Sequence, residues 1–265
     1  MNRLDRHVAI VSGGSRGMGA AIASQFLAEG AAVVVGDLLS EVEDKYLGSA
    51  PPDRFRFQHH DVTSEQSWLD IVGTTTSAFG PVSVLVNNAA IFDHTPTEFL
   101  PREVAEQQMQ VNYIGPLLGL QAVVPSMRAA GGGSIINIAS AQAIVAQALG
   151  TAYGASKFAV RAMTKSAALE LGPDLIRVNC VCPGASYTIR HAGVDMTNML
   201  ANVAIQRIAQ PEDIAAACVY LASNEATYVT GSDLAVDGGM SAGQYVAGSS
   251  YDAYIRRGAR DRPPA

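Results

Sequence analysis

The stretch Ser12-Gly13-Gly14-Ser15-Arg16-Gly17-Met18-Gly19 does most to narrow what this chain can fold into. Residues 7–11, before it, are an apolar run rich in β-branched side chains and read as a buried strand. A helical run follows it through Ala28 and stops at Gly30. Strand, glycine-rich turn and helix, in that order, suit the binding of a phosphate group. The glycines let the backbone turn tightly and approach closely, and the helix start offers N–H groups and the positive end of its dipole. The spacing is Gly-x-x-x-Gly-x-Gly rather than Gly-x-Gly-x-x-Gly, so the turn alone reads equally well as a plain strand-to-helix connection.

The same alternation runs down the chain. Strands are expected at 32–36, 55–61, 82–86, 134–139, 175–181 and 233–236. A short acidic helix is expected at 41–47, broken by Ala50-Pro51-Pro52-Asp53. Thr63-x-x-Gln66 reads as a capping box opening a helix through Phe79, which Gly80-Pro81 ends. A long helix is expected at 101–128, with Pro101 at its start and Pro116 inside it. Further helices span 153–171, ended by Gly172-Pro173, and 211–222, opened by Pro211-Glu212-Asp213. This order predicts an α/β chain with a Rossmann-type doubly wound parallel sheet and helices on both faces. With no repeat and no linker, residues 1–265 read as one domain. Its irregular parts are a substrate loop at about 185–209 and a tail at about 241–265.

Composition excludes several classes. The net charge is −6, and no basic cluster precedes Arg256-Arg257, which argues against a nucleic-acid surface. Residues 1–6 are polar and carry no signal-peptide pattern, and no apolar run suits a bilayer span. Cys180, Cys182 and Cys218 stand in apolar contexts without C-x-x-C spacing, which fits reduced core thiols in a cytoplasmic protein. His59-His60-Asp61 is not read as a metal site, because neighbouring strand residues point to opposite faces.

The second strand ends at Asp37. A carboxylate there can accept hydrogen bonds from an adenosine ribose and would repel a 2′-phosphate, which favours NAD over NADP. Arg16 pulls the other way, but Leu38 and Leu39 follow Asp37 where a phosphate would want a cation. Tyr153 and Lys157 are four apart and share a helix face. A phenol titrates near pH 10, and a cation beside it favours the phenolate. Pro116 has no N–H, so the Asn112 carbonyl loses its normal helix partner. That leaves either a simple kink or an acceptor able to hold a water.

These motifs together resemble the short-chain dehydrogenase/reductase superfamily over about residues 7–240. The resemblance rests on Ser12-Gly13-x-x-x-Gly17-x-Gly19, Asp61-Val62, Asn87-Asn88-Ala89, Asn112, Ser140, Tyr153-x-x-x-Lys157, Pro183-Gly184 with Thr188, and Val236-Asp237-Gly238-Gly239. Within the superfamily the chain is similar to bacterial NAD-dependent 3α/20β-hydroxysteroid dehydrogenases and related secondary-alcohol dehydrogenases. The resemblance implies that Tyr153 is the general acid/base and that Lys157 lowers its pKa and binds the nicotinamide ribose. It implies that Ser140 orients the substrate oxygen and that Asn112 places a water leading from Lys157 to solvent. Gly13, Ser15, Arg16, Gly17, Met18 and Gly19 would hold the pyrophosphate side of NAD. Asp37 and Leu38 would take the adenosine ribose, and Asp61 with Val62 the adenine. Asn88, Ala89 and Ala90 would support the cofactor, and Pro183, Gly184, Ser186 and Thr188 the carboxamide. Two departures stand out. Ser12 replaces a common Thr and keeps its hydroxyl. Ala90 replaces a common Gly and would be strained at a positive φ.

The substrate is less legible. Val194, Met196, Met199, Leu200 and Ile205 in the loop, with Ile144, Val145 and Leu149, either line a pocket for a neutral, apolar secondary alcohol or pack the lid on the sheet. Arg190 and His191 are also in the loop, and Gln142 and Tyr187 are candidate substrate contacts. The tail, with Tyr245, Tyr251 and Tyr254, either covers the substrate mouth, meets a neighbouring subunit or frays. Resemblance implies a homotetramer or homodimer. Rival readings are an NADPH-dependent ketone or 3-oxoacyl reductase and a non-catalytic NAD-sensing protein.

Overall fold

The computed structural model describes residues 2–42, 44–186, 200 and 202–243. Seven strands form one sheet: β1 (Val8–Ser12), β2 (Ala32–Asp37), β3 (Phe55–His59), β4 (Val84–Asn87), β5 (Gly133–Ile138), β6 (Ile176–Pro183) and β7 (Asp233–Val236). Their order is β3-β2-β1-β4-β5-β6-β7 and every pairing is parallel. Parallel strands need crossovers, and helices covering both faces explain the near-continuous apolar strand sequences. The helices are α1 (Gly17–Ala28), α2 (Asp44–Leu47), α3 (Glu65–Phe79), α4 (Arg102–Met109), α5 (Gly115–Ala129), α6 (Thr151–Leu171) and α7 (Pro211–Ala222). Ala9 and Val11 of β1 enter the core built with α1 and α7, whereas Ile10 enters the one built with α3, α5 and α6. The winding reverses between β1 and β4, so a crevice opens at the carboxyl ends of those strands.

A buried polar row crosses the sheet just below that crevice. Ser12, Asn87, Asn137 and Cys180 are paired in register on β1, β4, β5 and β6. Asn87 Nδ2 donates to Asn137 Oδ1 at 2.8 Å and to the Pro116 carbonyl at 3.3 Å. Asn137 Nδ2 donates to Thr164 Oγ1 at 2.8 Å, and that hydroxyl lies 3.1 Å from Cys180 Sγ. Such linked bonds in a low-dielectric interior fix one arrangement. Here they pin α5 and α6 against the strand ends that carry the site.

Four expectations about the elements need correction. The helix expected at 101–128 is two α-helices joined by a π turn at Gln110–Ile114, where the Gly115 N–H donates to the Gln110 carbonyl. Pro116, without a donor and with a ring crowding the preceding turn, stands just past this widened turn. The cap of α3 is Ser64, whose Oγ accepts from Ser67 N at 3.2 Å. Thr63 instead donates through both its N–H and its hydroxyl to Asp61. The short acidic helix is confined to Asp44–Leu47, and α6 starts two residues before Tyr153.

His60, just past β3, is buried against Trp68 with ring centroids 4.4 Å apart, and its Nδ1 lies 2.8 Å from Ser67 Oγ. Its Nε2 has no partner among the described residues. Burial pushes its pKa down to about 4, against a weaker pull from the Ser67 bond and the Asp61 and Asp37 charges. The unfolded chain therefore binds the proton first as pH falls. Stability from the neutral ring is fully present above pH ~6.5 and is lost as pH falls from there toward the folded pKa. The expected loss is on the order of 3 kcal/mol across that window. Urea midpoints at several pH values should fall less steeply in His60→Gln than in the wild-type chain. Parallel slopes would contradict this.

Candidate active site

The glycine turn lies at the carboxyl end of β1 and is held from β2 and β4. Gly13 N donates to the Gly36 carbonyl at 2.7 Å. Asn88 Nδ2 donates to the Ser12 and Gly13 carbonyls at 3.1 and 2.8 Å. Ser12 Oγ accepts from the Asn88 and Ala89 N–H groups at 3.2 and 3.3 Å. Asn88 thus braces the turn itself, and the hydroxyl of Ser12 is put to use. Ala90 is exposed and does not adopt a positive φ, so its methyl brings no backbone strain.

Asp37 is fixed beside the turn. Its carboxylate accepts from Ser15 N at 3.1 Å and from Leu39 N at 3.2 Å. Leu38 is 62% exposed, and Arg16 is exposed at the start of α1, where it makes no capping bond. Ser15 is fully buried and its Oγ has no partner among the described residues. Gly17 adopts φ +56°, and a methyl group built on it would meet nothing within 4 Å. Buried hydroxyl, open glycine and helix start fit the pyrophosphate of a nicotinamide dinucleotide.

The neighbouring residues are ordered around this turn. Asp61 accepts two bonds from Thr63, at 2.9 and 2.8 Å, and these hold its carboxyl below the usual carboxylate range. Val62 is buried against Gly115 at the π turn, and its carbonyl accepts from Trp68 Nε1 at 2.9 Å. Past β6, Gly184 N donates to the Val236 carbonyl at 3.1 Å. Ser186 Oγ lies 3.6 Å from Met18 Sδ, which brings the expected carboxamide segment onto the glycine turn. Tyr187, Thr188, Arg190, His191, Val194, Met196 and Met199 lie outside the described residues, as does the tail beyond 243.

Tyr153 is the third residue of α6 and Lys157 stands one turn on. Ser140, whose Oγ accepts from Gln142 N at 3.1 Å, lies beside Tyr153 and pulls its pKa down. Lys157 is buried. Its Nζ donates to the Ile138 carbonyl at 2.8 Å and lies 5.7 Å from the Tyr153 ring centroid. Burial lowers the lysine pKa to about 8. Tyr153 is half-buried. Burial raises its pKa, and Ser140 opposes that only in part. The chain alone therefore does not give the depressed phenol the resemblance implies, because the ammonium is directed to Ile138. Burial also pushes the Cys180 and Cys182 thiols up to about 12 and about 11, which makes them inert core groups.

Asn112 joins the site through its side chain. Its Oδ1 accepts from Ile91 N at 2.8 Å, and its Nδ2 donates to the Ile91 carbonyl at 2.9 Å and to Ser156 Oγ at 3.1 Å. Ser156 Oγ donates to the Tyr153 carbonyl at 2.7 Å. Asn112, Ser140, Tyr153 and Lys157 are therefore brought together. Gln142 is tied into its own loop, donating to Gln147 Oε1 at 2.7 Å, and its Oε1, without a partner among the described residues, faces Gly150.

Sequence reasoning missed two aromatic neighbours. The Phe92 ring lies 4.6 Å from that of Tyr153 with planes at 79°, and His94 lies 4.1 Å from Phe92 at a similar angle. The available signal was their position just after β4, at the strand ends where ligands gather.

Comparison with known proteins agrees with this geometry. A family profile described as enoyl-(acyl carrier protein) reductase matches residues 13–241. The chain is 44% identical over 245 residues to a 3-alpha-(or 20-beta)-hydroxysteroid dehydrogenase of Mycobacterium tuberculosis, covering 91% of this chain and 92% of that one. It is 38% identical over 250 residues to a trans-4-hydroxycyclohexanecarboxylate dehydrogenase of Sinomonas cyclohexanicum, covering 91% and 95%. It is 39% identical over 249 residues to an NADP-dependent (R)-specific alcohol dehydrogenase of Lentilactobacillus kefiri, covering 91% and 99%. With a family profile spanning most of its length and relatives aligned nearly end to end, the chain belongs to the short-chain dehydrogenase/reductase family of nicotinamide-dependent oxidoreductases that act on CH–OH groups.

Proposed function

We propose that this chain is a cytoplasmic, NAD-dependent dehydrogenase that interconverts an apolar, ring-bearing secondary alcohol with its ketone, working as a homotetramer or homodimer. The observation that carries the reading is the placing of Ser140 beside Tyr153, one helical turn from a buried lysine. Relatives named for steroid and cyclohexane substrates support the ring-shaped alcohol. NAD, when bound, accepts the hydride from the carbinol carbon. The residues of the chain handle the proton and the orientation. Ser140 hydrogen-bonds the substrate oxygen. Tyr153 Oη takes the hydroxyl proton in oxidation and returns it in reduction. Lys157, with a pKa of about 8, is mostly cationic at neutral pH and favours the phenolate as the proton leaves. Asn112 acts from below, joining α6 to the segment after β4.

NAD preference rests on Asp37, whose two backbone bonds fix a carboxylate at the end of β2 that would repel a 2′-phosphate. Like-charge contact of that kind costs several kcal/mol, so kcat/KM should favour NAD by on the order of a hundredfold. Asp37→Ser should narrow the ratio without lowering the best turnover. Faster wild-type turnover with NADP would overturn the assignment and favour the NADPH-dependent reductase, in line with the NADP-dependent relative.

A further inference from the structure

We infer that Phe92 is a positioning residue for Tyr153, fixing the angle at which the phenol meets Ser140 and the substrate oxygen; this rests on the reading of Tyr153 as the acid/base. Helix α6 fixes the backbone of Tyr153, but its ring can still swing about two side-chain torsions. The Phe92 ring meets it at 4.6 Å and 79°, an edge-to-face geometry that favours one relative orientation over neighbouring ones. Ser140 acts only on the hydroxyl end.

Phe92 can hold another ring only if it is itself held, because it is 36% exposed. Three contacts supply that. Both backbone polar groups of Ile91, the residue before it, are locked to the Asn112 side chain at 2.8 and 2.9 Å. The His94 ring packs on it at 4.1 Å. Further along, Thr97 Oγ1 lies 2.6 Å from Thr151 Oγ1, on the first residue of α6. The segment is thus attached at both ends to what carries or supports Tyr153. Asn112 Nδ2 also reaches Ser156, which bonds the Tyr153 carbonyl, so the contacts form a closed ring: Tyr153, Ser156, Asn112, Ile91, Phe92 and Tyr153 again. A rotation of the phenol must push against that ring at Phe92.

The test compares Phe92→Leu, which keeps bulk and loses the ring, with Phe92→Tyr, which keeps the ring. Steady-state kinetics with NAD and a cyclic secondary alcohol are measured for both. Phe92→Leu should lower kcat by about tenfold while leaving the KM for NAD unchanged, and Phe92→Tyr should restore most of the loss. Alkaline difference spectra against the matching Tyr153→Phe background isolate the Tyr153 phenol. Its ionisation should move to lower pH in Phe92→Leu, because removing the ring admits water to a hydroxyl whose pKa burial now raises. A Phe92→Leu protein that changes only the alcohol KM, or that titrates at Tyr153 like the wild type, would overturn the inference. Absence of any wild-type turnover would instead sink the dehydrogenase reading, and the phenol titration would still decide the role of Phe92.

Discussion

Tyr153→Phe is expected to lower turnover by about 10²–10⁴-fold while leaving NAD binding intact, as measured by steady-state rates and calorimetric titration with NAD. The substitution removes one oxygen and keeps the ring that packs against Phe92 and lies near Lys157. The helix, the glycine turn and Asp37 are untouched, so the loss falls on proton transfer rather than on folding or binding. Burial raises the pKa of the phenol in the chain alone, which favours Tyr153 as a proton donor to a ketone. Running the reaction toward the ketone requires the phenolate, and Lys157 is the nearby cation that favours it. The loss should therefore appear in both directions. Turnover unchanged by the loss of the hydroxyl would remove Tyr153 from the chemistry.

Gly19→Ala should be nearly as damaging, by a different route. A methyl group at Gly19 would sit 2.2 Å from the Gly13 carbonyl oxygen, 2.6 Å from Asn88 Nδ2 and 2.8 Å from Gly14 Cα. Two of the three are backbone atoms, and the third is the amide that braces the turn through the Ser12 and Gly13 carbonyls. No flexible side chain is available to give way. Relief must come from shifting the turn away from α1, which costs about 1–3 kcal/mol of stability by overpacking alone. The same shift displaces the N–H groups proposed to meet the pyrophosphate, so NAD affinity should fall by tenfold or more, roughly the worth of one charge-assisted hydrogen bond. Gly73→Ala in α3 is the control. A methyl there meets nothing within 4 Å, and the residue is helical and exposed. It should stabilise the chain by about 0.5–1 kcal/mol and leave NAD binding alone. Thermal or urea unfolding with NAD titration separates the two variants. Equal behaviour would contradict the tight-turn argument.

Much of the fold was legible because parallel strands buried on both faces leave continuous apolar runs. Residues such as 8–11 and 32–36 can hardly be read otherwise. The glycine turn was legible because close backbone approach leaves no room for a side chain at Gly19. Helical spacing alone put Tyr153 and Lys157 on one face, and their roles came from the family resemblance. Three things were not. The π turn at Gln110–Ile114 has no composition of its own, and only Pro116 hinted at a disturbance there. The α3 cap fell to Ser64 because Asp61 engages Thr63 first, a competition two residues long that a capping pattern does not register. Phe92 reaches Tyr153 because Asn112, 21 positions beyond Ile91, clamps the Ile91 backbone. Contacts made by a partner that distant leave no periodic trace in the sequence.

The most direct test of the account offers NAD and a panel of cyclic and steroid secondary alcohols carrying deuterium on the carbinol carbon, and follows the label by mass spectrometry of the reduced nicotinamide. The account predicts that an alcohol in the panel is turned over and that each reduced cofactor then carries one deuterium from it, with labelled cofactor formed about 10²–10⁴-fold more slowly when Tyr153→Phe replaces the wild-type protein. Reduced cofactor without the label, or no reduction by any alcohol while NAD binds, would contradict hydride transfer at this site.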